Sequence, residues 1–225
     1  MSNKIITIIP ARGGSKGVPK KNIKNFNGLP LIAHTINYAK SIPGINNHIY
    51  VSTDCKQIAS ISENFGAHII NRPKSISGDK ATTESAIEHA LKEIPIKPEV
   101  IILLQPTSPL RPKNSLEVAL DRFKKNNFDS LLSISPTHHF FWKIKGSEAS
   151  PDYNILKRPR RQDIHPDDIT YTENGSLYIF TYKHFLETKN RLGGNIGYII
   201  FPEEYSLEID SNHDFKLLEI YAKIL

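Results

Sequence analysis

The sequence predicts a three-layer α/β fold, a mostly parallel sheet flanked by helices, with an arm leaving the sheet late in the chain. Near-continuous apolar runs such as Ile5–Ile9 and Val100–Leu104 have the composition of strands buried on both faces. These runs alternate with segments patterned as helices, which is the order of βαβ units. The length of 225 residues, 39% of them hydrophobic, is enough for one such core and argues against disorder.

Taken in order, Ile5–Ile9 is a first strand, and Pro10 to Asn22 cannot continue it because Pro10, Pro19, Gly13, Gly14 and Gly17 interrupt the pattern. A helix follows over Leu31–Lys40, with Leu31, Ile32, Thr35 and Ala39 at helical spacing and Pro30 at a first-turn position. His48–Ser52 reads as a strand, and a helix from about Asp54 to Phe65 is ended by Gly66. The rhythm repeats with a strand at Ala67–Ile70, a polar segment to about Lys80, a helix over Thr83–Glu93 and the strand Val100–Leu104. A helix near Asn114–Lys125 and a strand at Ser130–Ser135 come next.

After Pro136 the pattern breaks. His139 to Asp168 mixes aromatics, prolines and the basic cluster Lys157–Arg161 without periodicity, which suggests a hairpin arm used in association. Strands return at Ser176–Thr181 and Gly197–Phe201, and a last helix starts near Ser211, where Ser211 and Asp214 have capping-box spacing. The expectation is one domain over residues 1–225, with 137–170 as the arm.

Composition excludes several classes. No apolar run approaches the length of a membrane-spanning helix. The start, Met1-Ser2-Asn3-Lys4-Ile5, lacks the shape of a secretory signal, and the lone Cys55 rules out an internal disulfide framework or a cysteine-rich zinc site. A soluble, cytoplasmic protein is the expectation. The net charge of +6 suits anionic partners of several kinds and does not choose among them.

The loop after the first strand must lie beyond a strand's carboxyl end, where open α/β sheets bind ligands. Its glycines allow close backbone approach to an anion, Arg12, Lys16 and Lys21 supply charge, and Ser15 supplies a donor, which together suit a triphosphate. Neither the Walker A spacing nor Gly-x-Gly-x-x-Gly is present. Glu208 and Asp210 fall on one face of an extended segment, where paired carboxylates beside phosphates suit Mg²⁺; Asp210 could equally decorate the start of the last helix. Gln105–Arg111 follows another strand, and Asn174–Tyr178 is either a turn into a strand or a place from which Asn174 and Tyr178 face a sugar. His138 and His139, being adjacent, point to opposite faces of an extended chain and make a poor metal pair.

Several of these segments together resemble the acylneuraminate cytidylyltransferases. They are Ile9–Gly17, Lys21-Asn22, Val51–Asp54, Arg72-Pro73, Leu104–Arg111, Arg161–Asp163, Asn174–Ile179 and Ile209–Ser211, in family order across nearly the whole chain. The resemblance implies a Rossmann-like nucleotidyltransferase that converts CTP and a nine-carbon 2-keto sugar acid, N-acetylneuraminic acid or a relative such as legionaminic acid, into the CMP-sugar and pyrophosphate. It implies that Arg12, Ser15, Lys16, Lys21 and Asn22 hold the phosphates and that Ala11, Arg72 and Thr83 help to hold the nucleotide. Gln105, Asn174 and Tyr178 would line the sugar site. Lys143 and Arg161 would reach the sugar carboxylate of a partner in a homodimer. Arg12, Lys21, Gln105 and Asp210 are the implied catalytic set, with Asp210 as the main Mg²⁺ ligand and Glu208 as a second. Many members carry aspartate where this chain has Glu208. CMP-Kdo synthetase is the nearest alternative, and a basic nucleic-acid-binding module is one of a different class. No RRM-type motif, helix-turn-helix or zinc finger supports the latter, so neither nucleic acid nor membrane is expected as a partner.

Overall fold

The computed structural model describes residues 5–42 and 48–225. Met1–Lys4, part of the segment read above as lacking a secretory signal, lie outside the described residues. The first strand, β1 (Ile5–Pro10), is followed by a tight pair, β2 (Asn25–Phe26) and β3 (Leu29–Pro30), and then by α1 (Leu31–Ala39). β4 (Ile49–Thr53), α2 (Lys56–Asn64), β5 (His68–Asn71), α3 (Thr83–Glu93), β6 (Val100–Leu104), α4 (Ser115–Lys125) and β7 (Ser130–Thr137) continue the alternation. A hairpin of β8 (Trp142–Lys145) and β9 (Glu148–Pro151) precedes β10 (Thr170–Thr181), α5 (Tyr182–Thr188), β11 (Ile196–Ile200) and α6 (Asn212–Tyr221).

Seven strands form the main sheet in the order β11-β7-β10-β6-β1-β4-β5. β6, β1, β4 and β5 run parallel, so their carboxyl ends share one edge. β10 is antiparallel to both of its neighbours, and β11 pairs in parallel with β7. The sheet is therefore mostly parallel, as expected from the continuous apolar runs. One face packs against α1, α2 and α4 through residues such as Ile32, Ile36, Ile58 and Leu116. The other is covered by α3 and α5 through Ile87, Ala90 and Phe185. A third cluster of Val18, Phe26, Leu31, Ile209, Phe215 and Leu218 fastens the first loop, the small β2–β3 pair and α6 together.

The structure corrects some local expectations. Pro30 is not in the first helical turn; it stands before Leu31 in an extended conformation, φ −55° and ψ 139°. β10 begins at Thr170 rather than Ser176, because its pairing with β7 shifts register between Glu173 and Tyr178 and hides the strand's period. β2, β3 and the seven-residue α5, which Thr181 caps, were not anticipated. Between β7 and β10 the chain leaves the main sheet, and the β8–β9 hairpin matches the hairpin read from the broken pattern.

Candidate active site

The carboxyl ends of β1, β4, β5 and β6 deliver Ala11, Asp54, Arg72 and Gln105 to one edge of the sheet. Ala11 is buried, with its N–H donated to the Ser52 carbonyl at 2.9 Å, and it fixes where the glycine loop leaves the sheet. The loop is held from both sides. Gly13 N–H donates to Asp54 Oδ1 at 2.8 Å, and the buried Asn22 amide donates to the Arg12 carbonyl at 3.0 Å. A cleft of about 320 Å³ opens here, lined in part by Arg12, Ser15, Lys16, Lys21, Asn22, Arg72, Thr83, Gln105 and Asp210. The amino end of α3 also faces it through Ala81 and Thr82, and Thr82 caps the helix by accepting from Ser85 N–H at 3.1 Å.

The cleft is rich in cations with few internal acceptors. Arg72 is buried, and its Nε and Nη2 have no hydrogen-bond partner among the described residues. Burial lowers the Arg72 pKa, Asp54 opposes that shift, and Arg12 reinforces it. Lys21 is lowered chiefly by burial, against the pull of Asp210 and Glu208. Its ammonium donates to the Ile209 carbonyl at 2.5 Å and lies 3.8 Å from Asp210 Oδ1.

The tail carrying these carboxylates is docked by Ile209 N–H, which donates to the Thr107 carbonyl at 2.8 Å, and by close approach to Gly17. A Cβ on Gly17 would overlap the Asp210 carbonyl oxygen, so only glycine permits that contact. The capping box at the start of α6 is present as its spacing predicts, with Ser211 and Asp214 bonded reciprocally. Asp210 is open to the cleft, whereas Glu208 is half-buried. Its carboxyl is pushed up first by burial and then by Asp210, while Lys21 and a hydrogen bond with Thr107 oppose the shift. Glu208 lies against Gly175, whose φ of +64° and missing Cβ make room for the carboxylate.

Mg²⁺ keeps several waters and takes one or two carboxylates together with phosphate oxygens. Asp210 lines the cleft and fits that donor set, whereas Glu208 packs against Gly175 and does not line it; among the described residues no group of three His, Cys, Asp or Glu side chains gathers to hold a metal through protein alone.

Other sequence-predicted residues lie elsewhere. The Asn174 amide is buried between strands; its oxygen accepts from Ser133 Oγ at 2.5 Å, and its nitrogen donates to Ser135 Oγ at 3.0 Å. Tyr178 is buried beneath Arg191, 4.6 Å from guanidinium carbon to ring centre, and donates its hydroxyl proton to Glu173. Burial and that bond push its pKa up. Neither residue lines the cleft. Lys143 on β8 pairs with Asp152 at 2.7 Å, and Arg161 lies 3.9 Å from Glu203; both are exposed on the arm, outside the cleft.

Sequence reading missed the role of Arg111, whose guanidinium is buried and donates through Nη2 to the carbonyls of Gln105 at 2.7 Å and Ser176 at 3.2 Å. It ties the Gln105 loop to β10, and burial pulls its pKa down to about 10. Asp79 was also missed: its carboxylate meets Arg12 and Lys16. Nothing in the Ser77-Gly78-Asp79-Lys80 turn announces that contact, because sequence does not show which loop faces it across the cleft.

A cationic cleft at the carboxyl edge of a mostly parallel α/β sheet suits the phosphates of a nucleotide. Residues 6–222 match the family described as Cytidylyltransferase, and the chain belongs to that family. It is 36% identical to N-acylneuraminate cytidylyltransferase A of Danio rerio, over 97% of this chain and 50% of that protein. It is 33% identical to N-acylneuraminate cytidylyltransferase of Escherichia coli O18:K1:H7 (strain RS218 / NMEC), over 96% of this chain and 52% of that protein. The chain thus spans about half the length of these curated relatives. A solved CMP:2-keto-3-deoxy-manno-octonic acid synthetase complexed with CTP superposes with a TM-score of 0.73, covering 99% of this chain and all of that one. At 15% identity that likeness speaks for the fold alone.

Proposed function

We propose that this chain transfers a cytidylyl group from CTP to a nine-carbon 2-keto sugar acid, N-acetylneuraminic acid or a relative such as legionaminic acid, releasing pyrophosphate. The observation that carries the reading is the buried Arg72 guanidinium, unpaired at Nε and Nη2 and facing a cleft ringed by Arg12, Lys16 and Lys21. A buried cation without hydrogen-bond partners is costly, and a polyphosphate would satisfy it. The names of the curated relatives supply the sugar class.

In this reading the anomeric hydroxyl of the sugar attacks the α-phosphorus, and negative charge builds on the departing pyrophosphate. Catalysis is then largely positioning and charge stabilisation. Arg12, Ser15, Lys16 and Asn22 hold the phosphate chain from a loop whose exit Ala11 fixes, while Arg72 and Thr83 fix the nucleotide. Lys21, anchored by the Ile209 carbonyl, faces the transferring phosphate, and Gln105 orients the acceptor from a loop that Arg111 holds rigid. Asn174 and Tyr178 support the acceptor side from within β10. Asp210, assisted by Glu208, would hold Mg²⁺, which when bound offsets phosphate charge.

The residues from 137 to 170 are proposed as a dimerisation arm on a single 1–225 domain, bringing Lys143 and Arg161 to a partner's acceptor site. Trp142 and Ile144 of the hairpin, exposed at 46% and 71%, give that arm an apolar surface to cover. A cytoplasmic setting follows from the use of CTP; among the described residues no helix is long and apolar enough to cross a membrane.

The test is pyrophosphate release from CTP and Mg²⁺ with a panel of N-acetylneuraminic, legionaminic, pseudaminic and Kdn acids, plus Kdo. Release with a nine-carbon acid is expected. Release with Kdo alone would move the substrate, and no release together with no CTP binding would overturn the reading.

A further inference from the structure

Asp79 belongs to the turn between the 3-10 segment Lys74–Ile76 and α3, and it reaches across to the glycine loop. Its Oδ1 accepts from Arg12 Nη1 at 3.1 Å, and its Oδ2 lies 2.6 Å from Lys16 Nζ. One carboxylate thus holds two cations of the cleft, one on each oxygen, as two oxygens of a phosphate group would. The other two cations are held differently: Lys21 donates to the Ile209 carbonyl and lies 3.8 Å from Asp210, and among the described residues Arg72 is unpaired at two of its nitrogens.

The charge arithmetic favours exchange over permanence. Arg12, Lys16 and Asp79 are all substantially solvent-exposed, at 35%, 79% and 48% of their side chains. Ion pairs in such settings are weak and readily replaced by a ligand of higher charge. The turn borders open space, since a Cβ on neighbouring Gly78 would meet nothing within 4 Å.

We infer that Asp79 takes part in turnover by exchanging with phosphate: it neutralises Arg12 and Lys16 in the free protein, yields them to the triphosphate and reclaims them as pyrophosphate leaves. The inference rests on the proposed use of CTP, and its direction is specific. Asp79 competes with the polyphosphate, so removing its charge tightens binding, whereas a residue that merely ordered the two cations would weaken binding when removed.

Calorimetric titration of inorganic pyrophosphate, and separately of CTP, into wild-type protein and Asp79→Asn at low ionic strength tests this. Both ligands are expected to bind roughly threefold to tenfold tighter to the variant, with the difference shrinking as salt is added. Asp79→Ala should show the same gain, which separates loss of the charge from any new bond made by the asparagine amide. Unchanged or weaker binding in both variants would overturn the exchange while leaving CTP as the substrate. A wild-type protein that bound neither ligand would overturn the functional reading itself.

Discussion

Gly17→Ala isolates the join between the glycine loop and the carboxylate tail. The added methyl group would fall on the Asp210 carbonyl oxygen, well inside any contact that real Cβ atoms make. Loop and tail must then separate by at least about 1 Å, a displacement that can cost on the order of 10²-fold in rate when it misplaces catalytic groups. The tail has little freedom to give way gently, because Ile209 is fully buried and bonded to Thr107 while Phe215 and Leu218 anchor the helix behind it. The Lys21 bond to the Ile209 carbonyl should stretch as well. Overpacking of this kind costs about 1–3 kcal/mol of stability. Gly14→Ala serves as the control: a Cβ there meets nothing within 4 Å, and Gly14 does not line the cleft. Pyrophosphate release with CTP, Mg²⁺ and the acceptor used by the wild type should show kcat/KM about 10²-fold lower for Gly17→Ala and little changed for Gly14→Ala. Wild-type turnover in Gly17→Ala, or equal losses in the two variants, would refute the argument that the tail's contact with Gly17 sets the site.

Three further outcomes are expected. Lys21→Met should lower kcat about 10²-fold by removing a buried cation facing the transferring phosphate, as read by steady-state kinetics beside a melting curve. Asp210→Ala should raise the Mg²⁺ concentration needed for half-maximal rate about tenfold, with Glu208→Gln affecting it less; equal shifts would reverse their ranking as ligands. Asp214 is held below its ordinary pKa by the Ser211 hydroxyl and backbone N–H, so its stabilising contribution is present above the unfolded value of 3.8 and is lost as pH falls through the folded one. Asp214→Asn, at a half-buried cap, should cost about 0.5 kcal/mol at neutral pH and progressively less as pH falls below 3.8, as thermal melts across that range would show.

The elements most legible in the sequence were those whose signals are local. Thr83–Glu93 and Val100–Leu104 stand where the pattern put them, one behind a threonine cap and the other as a run buried at four of its five residues. Likewise, the Ser211–Asp214 spacing sufficed because a capping box is closed within one turn. What escaped depends on distant partners. The start of β10 was obscured by a register shift, and Asn174, legible only as a turn or a sugar contact, is engaged by Ser133 and Ser135 from a neighbouring strand. For the cleft, βαβ order predicts that loops at parallel strand ends converge, which accounts for Arg12, Arg72 and Gln105 sharing it. No comparable rule reveals that Asp79 faces Arg12 or that Arg111 turns inward to bind two carbonyls.

The bond between Lys21 and Ile209 spans 188 positions of sequence. A ribosome emits the glycine loop well before the Asp210 segment. At about 5–20 residues per second, the two are separated by some tens of seconds or less. During that interval β1, β4, β5 and β6 can pair, but the loop lacks the backbone against which Gly17 packs and the carbonyl that holds Lys21. Nascent chains should therefore reach a nearly complete sheet before they acquire a finished cleft, and proteolytic loss of the Asp210 segment should open the cleft while sparing most of the fold.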